Sequence, residues 1–174
     1  VRDSTQGIGT LTYIDPEDSS FGALGHGVYD TDTGKLMALK SGNLVESNIT
    51  GVKRSEKGSP GELTGVLDKS TVLGDIEKNN ECGIYGTINE ETAECLDDEY
   101  DIYGEYGEAL PVASAEEVKT GDAVILCTDS EGNRGQYEIQ IESVDLDHTD
   151  DDKGLVIRIT DDRLKDTAGG IVQG

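Results

Sequence analysis

Gln136-Tyr137-Glu138-Ile139-Gln140-Ile141-Glu142-Ser143-Val144 is the stretch whose reading decides the fold class. Tyr137, Ile139 and Ile141 alternate with Glu138, Gln140 and Glu142. Successive side chains of a strand point to opposite faces, so this period of two makes one dry face and one wet face. Residues 123–128 and 155–160, on either side, are short apolar runs rich in β-branched residues and read as two more strands. The N-terminal half carries the same punctuation. Residues 7–14 alternate and end at Asp15-Pro16-Glu17-Asp18, where proline presets a turn and removes a ladder donor. A hairpin-like return follows over 21–28, with a turn at 31–34 and strands over 35–39 and 44–53. Gly58-Ser59-Pro60-Gly61-Glu62 breaks the chain, and three short strands are expected at 63–67, 71–76 and 82–88. Helix is minor: Ser114-Ala115-Glu116-Glu117 starts like a capping box, and Gly121 stops it within a turn or two. The expected class is all-β.

A length of 174 residues suits one well-buried domain or two small barrels sharing an interface. The acidic segment around Asp97-Asp98-Glu99-Tyr100-Asp101 has no sustained period, and reads as a connection. The expected division is residues 1–88 as a first barrel, 89–108 as the connection and 109–174 as a second barrel. The formal charge of −23, from 37 acidic and 14 basic residues, repels a phosphate backbone and an anionic membrane surface alike. Nucleic acid is therefore not an expected partner. No apolar run reaches the length of a membrane span and Val1 does not open a signal peptide, so any targeting segment is expected upstream.

The three cysteines, Cys82, Cys95 and Cys127, form no CxxC pair and have no histidine at ligand spacing, so they point to no metal. A Cys82 to Cys95 bridge in an oxidising compartment and three thiols are both compatible with the sequence. Asp30-x-Asp32-x-Gly34 and Asp145-x-Asp147-x-Thr149 offer early carboxylates but lack the glycine and bidentate glutamate of a calcium loop, so the region around His148 reads as a solvated turn, with loose calcium binding by the acidic loop as the alternative. No cofactor and no metal are expected.

Three features carry chemistry. Phe21-Gly22-Ala23-Leu24-Gly25-His26 places a histidine in a glycine-flanked turn, and Val156-Ile157-Arg158-Ile159-Thr160-Asp161 places an aspartate at a strand end. The run Gly169-Gly170-Ile171-Val172-Gln173-Gly174 reads as the glycine-rich approach to a nucleophile. Histidine then aspartate, before such a run, is the order of a His, Asp, Ser relay without its serine. Ser59 belongs to the Gly58-Ser59-Pro60-Gly61 turn and Cys127 to a strand end, so neither reads as a replacement nucleophile.

The N-terminal Val1-Arg2-Asp3-Ser4-Thr5-Gln6-Gly7-Ile8-Gly9-Thr10-Leu11-Thr12, the Phe21 to His26 run, Asp30-Thr31-Asp32-Thr33-Gly34 and Gly170-Ile171-Val172-Gln173-Gly174 together resemble the stage IV sporulation protein B (SpoIVB) peptidases, from first residue to last. The resemblance implies a trypsin-like double β-barrel and a serine endopeptidase that signals by limited proteolysis during endospore formation. It acts in the space between forespore and mother-cell membranes, on a membrane-bound regulator of sigma-factor processing. His26 would be the general base and Asp161 its orienting acid, with the adjacent Asp162 as the other choice and the N-cap of a short turn as the structural alternative for either. Gly174 would offer an oxyanion-hole donor.

In the family the nucleophile follows the final glycine. The resemblance thus implies a second barrel that is incomplete over these 174 residues, and a chain inactive in isolation. The competing expectations are a catalytically silent β module that docks a protein partner, or a second copy, by edge-strand pairing, and an acidic structural domain.

Overall fold

A computed structural model describes residues 5–89, 92, 109–128, 134–146, 154–170 and 172–173. It is nearly all β, as the alternation predicts, and the chain divides into two compact units. The first comprises residues 1–50, 63–109 and 173–174, and the second residues 51–62 and 110–172. A curled half-barrel sheet and a second, separate sheet agree with the double-barrel expectation.

The first sheet is built from β1 (Leu11–Ile14), β2 (Ser20–Ala23), β3 (Gly42–Lys53), β4 (Gly61–Asn80) and β5 (Gly83–Ile88) in the order β1-β2-β5-β4-β3. Phe21 lies opposite Gly86 and Ala23 opposite Ile84 across the antiparallel β2/β5 pair. This register gathers Phe21, Ala23, Ile84 and Ile88 into a buried core, closed by Leu11, Ile14, Leu24, Val28, Leu44 and Ile76. Phe21 is the largest fully buried side chain among the described residues, at 1% exposure.

Three strand expectations are corrected here. Pairing over 7–14 begins only at Leu11; Gly7 and Gly9 bring no side chain to pack, which weakens a ladder. Residues 35–39 make a single bridge, Leu36 to Tyr29, instead of a strand. The two strands expected at 63–67 and 71–76 are one continuous strand, β4. Asp68 Oδ1 accepts the Ser70 N–H at 2.9 Å and its hydroxyl at 2.6 Å. The turn-forming residues thus satisfy each other locally without ending the strand.

The second unit holds a three-stranded antiparallel sheet, β6 (Gly121–Thr128), β7 (Arg134–Val144) and β8 (Leu155–Ile159), in that order. Ile125 faces Tyr137 and Ala123 faces Ile139, and Ile139 faces Ile159 on the other side. Tyr137 and Ile139 are buried while Glu138 and Glu142 are exposed, which is the face assignment read from the alternation. Helix α1 (Asp162–Ala168) follows β8 and sets Leu164 against Tyr137; Val52, Ile125, Cys127, Ile159 and Val172 complete this core. Val52 comes from the tip of the β3/β4 hairpin, which belongs to this unit. The last strand, β9 (Val172–Gln173), pairs with β4.

The capping box at Ser114 is present: its N–H donates to Glu117 Oε2 at 2.9 Å and opens a single 3-10 turn over Ala115–Glu117. The acidic connection lies, apart from Asn89 and Thr92, outside the described residues.

Candidate active site

His26 sits just past the end of β2. The chain leaves that strand through two left-handed residues, Leu24 at φ 74° and Gly25 at φ 72°. For leucine this region is unfavourable. It is held there by its N–H, which donates to Thr10 O at 3.0 Å, and by packing against the Phe21 core. The imidazole is partly buried, and its Nδ1 lies 3.1 Å from Gly27 O. A proton on Nδ1 donated to that carbonyl leaves Nε2 as the basic nitrogen.

The loop beyond is fixed by Asn79 of β4, a residue that sequence reasoning did not single out. Its Oδ1 accepts the Val28 N–H at 2.9 Å. Its Nδ2 donates to Val28 O at 2.9 Å and to Met37 O at 3.0 Å. Gly27 itself leaves no room for a side chain, since a Cβ there would fall 2.5 Å from both Asn80 O and Leu36 Cδ1. The sequence carried no signal for it: Asn79 falls between the strands expected at 71–76 and 82–88.

Asp161 lies in the other unit, at the junction of β8 and α1. It is 9% exposed, the only buried charged residue among those described. Its Oδ1 accepts the Arg163 N–H at 2.9 Å, the N-cap of α1. The Arg163 guanidinium adds Nε to Oδ1 at 3.1 Å and Nη2 to Oδ2 at 2.6 Å. The Glu138 N–H reaches Oδ2 at 3.4 Å. These donors, Arg163 foremost, hold the Asp161 carboxyl down at about 2, against an ordinary value of 3.8, so it is ionised at neutral pH. Asp162 is different in kind: its side chain is 88% exposed and pairs with Lys165 Nζ at 2.9 Å. Of the two adjacent aspartates, only Asp161 has a structured, buried carboxylate. The N-cap reading holds for Asp161.

The closing run begins as helix α1 ends. Gly169 adopts φ 72°, and its N–H returns to Lys165 O at 3.0 Å. A side chain at Gly169 would meet Ser55 O at 2.7 Å, so the hairpin tip abuts this turn. Arg54, from the same tip, donates Nη1 to Asp166 O at 2.8 Å and Nη2 to Lys165 O at 3.2 Å, closing the carbonyl end of the helix. Gly174 lies outside the described residues.

The remaining candidates have local roles. Ser59 closes the hairpin tip through paired backbone bonds with Glu56, both 2.9 Å. Cys127 packs at the second core. Cys82 is an exposed free thiol, and Cys95 is outside the described residues. Asp30 Oδ1 accepts the Thr33 N–H and hydroxyl, both at 2.7 Å, which depresses its titration and ties the carboxylate into its own turn. His148 and Asp147 are outside the described residues. Among the described residues no cluster of histidine, cysteine or carboxylate side chains could hold a metal ion, and no helix is long and apolar enough to cross a membrane.

Comparison with known proteins gives one match. A family model described as SpoIVB peptidase S55 matches residues 1–174, the whole chain. Searches of curated proteins and of solved structures returned no significant match.

Proposed function

The chain belongs to the SpoIVB peptidase S55 family, and from that premise we propose a serine endopeptidase in which His26 is the general base and Asp161 its orienting acid. The imidazole takes the proton of the attacking serine and returns it to the leaving amine, while the carboxylate stabilises the imidazolium formed in between. In the family pattern the serine follows the run that ends at Gly174, whose N–H is then an oxyanion-hole donor. Its place is outside the cytoplasm, between forespore and mother-cell membranes. Its substrate is a membrane-bound regulator of sigma-factor processing, cut as a developmental signal.

The observation that carries this reading is the family match over both candidate residues, joined to the buried, ionised carboxylate at Asp161.

The test uses the protein carried through the serine that the family pattern places after Gly174, with versions in which that serine is replaced by alanine, His26→Ala and Asp161→Asn, on peptide substrates and on the protein's own intact mass. The serine and histidine variants should lose activity entirely, and Asp161→Asn should lose on the order of 10³- to 10⁴-fold. Retained cleavage in His26→Ala sinks the assignment.

A second reading, a catalytically silent module that captures a protein strand or a second copy, is favoured by β6 and β8, which form the two outer strands of their sheet. It predicts binding that is indifferent to His26→Ala.

A further inference from the structure

The peptide that joins Gly27 to Val28 makes two bonds that point in opposite directions. Its carbonyl, Gly27 O, lies 3.1 Å from His26 Nδ1, and its N–H, on Val28, donates to Asn79 Oδ1 at 2.9 Å. No peptide bond among the described residues is cis, and a planar trans peptide holds its C=O and N–H antiparallel. Whatever fixes the Val28 N–H therefore also aims the Gly27 carbonyl.

Asn79 fixes that N–H through its own amide. Its Nδ2 donates to Val28 O at 2.9 Å and to Met37 O at 3.0 Å. Both carbonyls can only accept, so the amide cannot turn over without setting its oxygen against two others, and Oδ1 is committed to the Val28 N–H. Turning the Gly27–Val28 peptide instead would bring Gly27 O against Asn79 Oδ1, again acceptor against acceptor. The preceding peptide is held as well: the Gly27 N–H donates to Glu81 O at 3.2 Å, in the turn between β4 and β5. Gly27 is buried, and a buried carbonyl needs a partner, which His26 Nδ1 supplies. All of these residues lie in one unit.

The bond to Gly27 O requires the imidazole proton on Nδ1, because the carbonyl has none to give. In a neutral imidazole the bond made by one nitrogen sets the state of the other, so Nε2 is bare, as a base must be. We propose that Asn79 is a positioning residue for His26: acting through the Gly27–Val28 peptide, its amide selects the Nδ1–H tautomer and keeps Nε2 free to take a proton. The inference rests on the reading of His26 as the general base and uses no contact with Asp161.

The test is histidine ring ¹⁵N NMR on the 174-residue protein, with His26 told apart from His148 by His148→Gln, at about pH 8.5, where an ordinary imidazole is neutral. Ring nitrogen shifts separate a protonated from a bare nitrogen. Wild type should show His26 with Nδ1 protonated and Nε2 bare. Asn79→Ala removes all three bonds and should move the ring to a mixture of tautomers. Asn79→Asp keeps an acceptor for the Val28 N–H but loses both donations, so it should hold the wild-type tautomer even as the loop loosens. A role in loop stability alone would move both variants together. In the protein carried through the serine that the family pattern places after Gly174, Asn79→Ala should lower kcat at least in proportion to the Nδ1–H population lost, with KM held. The wild-type tautomer tests the inference even where the alanine variant does not fold.

An Nε2–H ring in wild type overturns the inference, because Gly27 O then holds no imidazole proton. So does an unchanged Nδ1–H ring in Asn79→Ala while the Phe21 and Ile84 amide signals keep their positions, and so does a shifted tautomer with kcat unmoved. None of these touches the reading of His26 as the base, which His26→Ala decides separately. If His26→Ala retains cleavage, that reading falls and the positioning role falls with it, even where the tautomers behave as expected.

Discussion

Arg163 and Asp161, two residues apart, meet side chain to side chain at 2.6 Å while the backbone N–H of the first caps the helix on the carboxylate of the second. One arginine thus supplies both the cap and the counter-charge. The carboxylate is buried and the guanidinium is not, so the pair is a surface cation closing over an interior anion.

That relationship sets an acid limb in stability. The Asp161 carboxyl titrates at about 2 in the folded chain and at an ordinary 3.8 when exposed. A depressed folded value means that unfolding takes up a proton in this window. The stabilisation is therefore complete above about pH 4 and fades as the pH falls toward 2. Asp161→Asn should be less stable than wild type at pH 5, with the gap narrowing through this window, as urea unfolding at pH 5, 3.5 and 2.5 would show. A gap that does not change with pH would show that the carboxylate is not held ionised by its partners.

The loop behind His26 depends on Asn79. Asn79→Ala removes one acceptor and two donations that satisfy Val28 and Met37 backbone groups. Leaving such groups unpaired costs about 1–3 kcal/mol. Amide exchange should accelerate over residues 26–37 while the Tyr137 and Ile139 amides keep their protection. Asn79→Asp should rescue only part of the loss, since a carboxylate keeps the bond from Val28 N–H but faces two carbonyls it cannot donate to.

Each core has its own keystone. Phe21→Ala empties the largest fully buried site, and should cost about 3–5 kcal/mol. Leu164→Ala, at 4% exposure against Tyr137, should cost about 2–5 kcal/mol. Denaturant unfolding with far-UV detection measures both. A loss below 1 kcal/mol at either site would mean that the assigned packing is wrong.

Arg54 ties the hairpin tip to the end of α1. Arg54→Ala takes one donor from each of the Lys165 and Asp166 carbonyls, leaving Lys165 O its bond from the Gly169 N–H, and removes a cation from the negative end of the helix, at about 0.3–1 kcal/mol. Limited proteolysis should cut sooner near residues 165–170. In an active full-length protein the variant should lower kcat more than it raises KM, because the turn at Gly169 leads toward the proposed nucleophile.

The strands were legible where the pattern is local. The Tyr137, Ile139, Ile141 alternation and the Asp15-Pro16 stop are properties of a few neighbouring residues, and the structure keeps both. Asp68 and Ser70 misled because the same side chains that make a turn can bond each other within a continuing strand; which occurs depends on the neighbouring strand, which the local sequence does not specify. Asp161 could be named as a candidate from its place at a strand end. Its occupation by Arg163 could not.

By itself the sequence determined the all-β class, the strand stop at Asp15-Pro16 and the match to a peptidase family over residues 1–174, since periodicity and motifs are read along the chain. Only the tertiary structure decided that Gly51–Glu62 packs with residues 110–172, that Asn79 pins the segment after His26, and that Arg163 takes up the Asp161 oxygens. These are pairings between groups that compete for one partner. Burial, geometry and the supply of alternative donors settle that competition, and they exist only once the chain has folded.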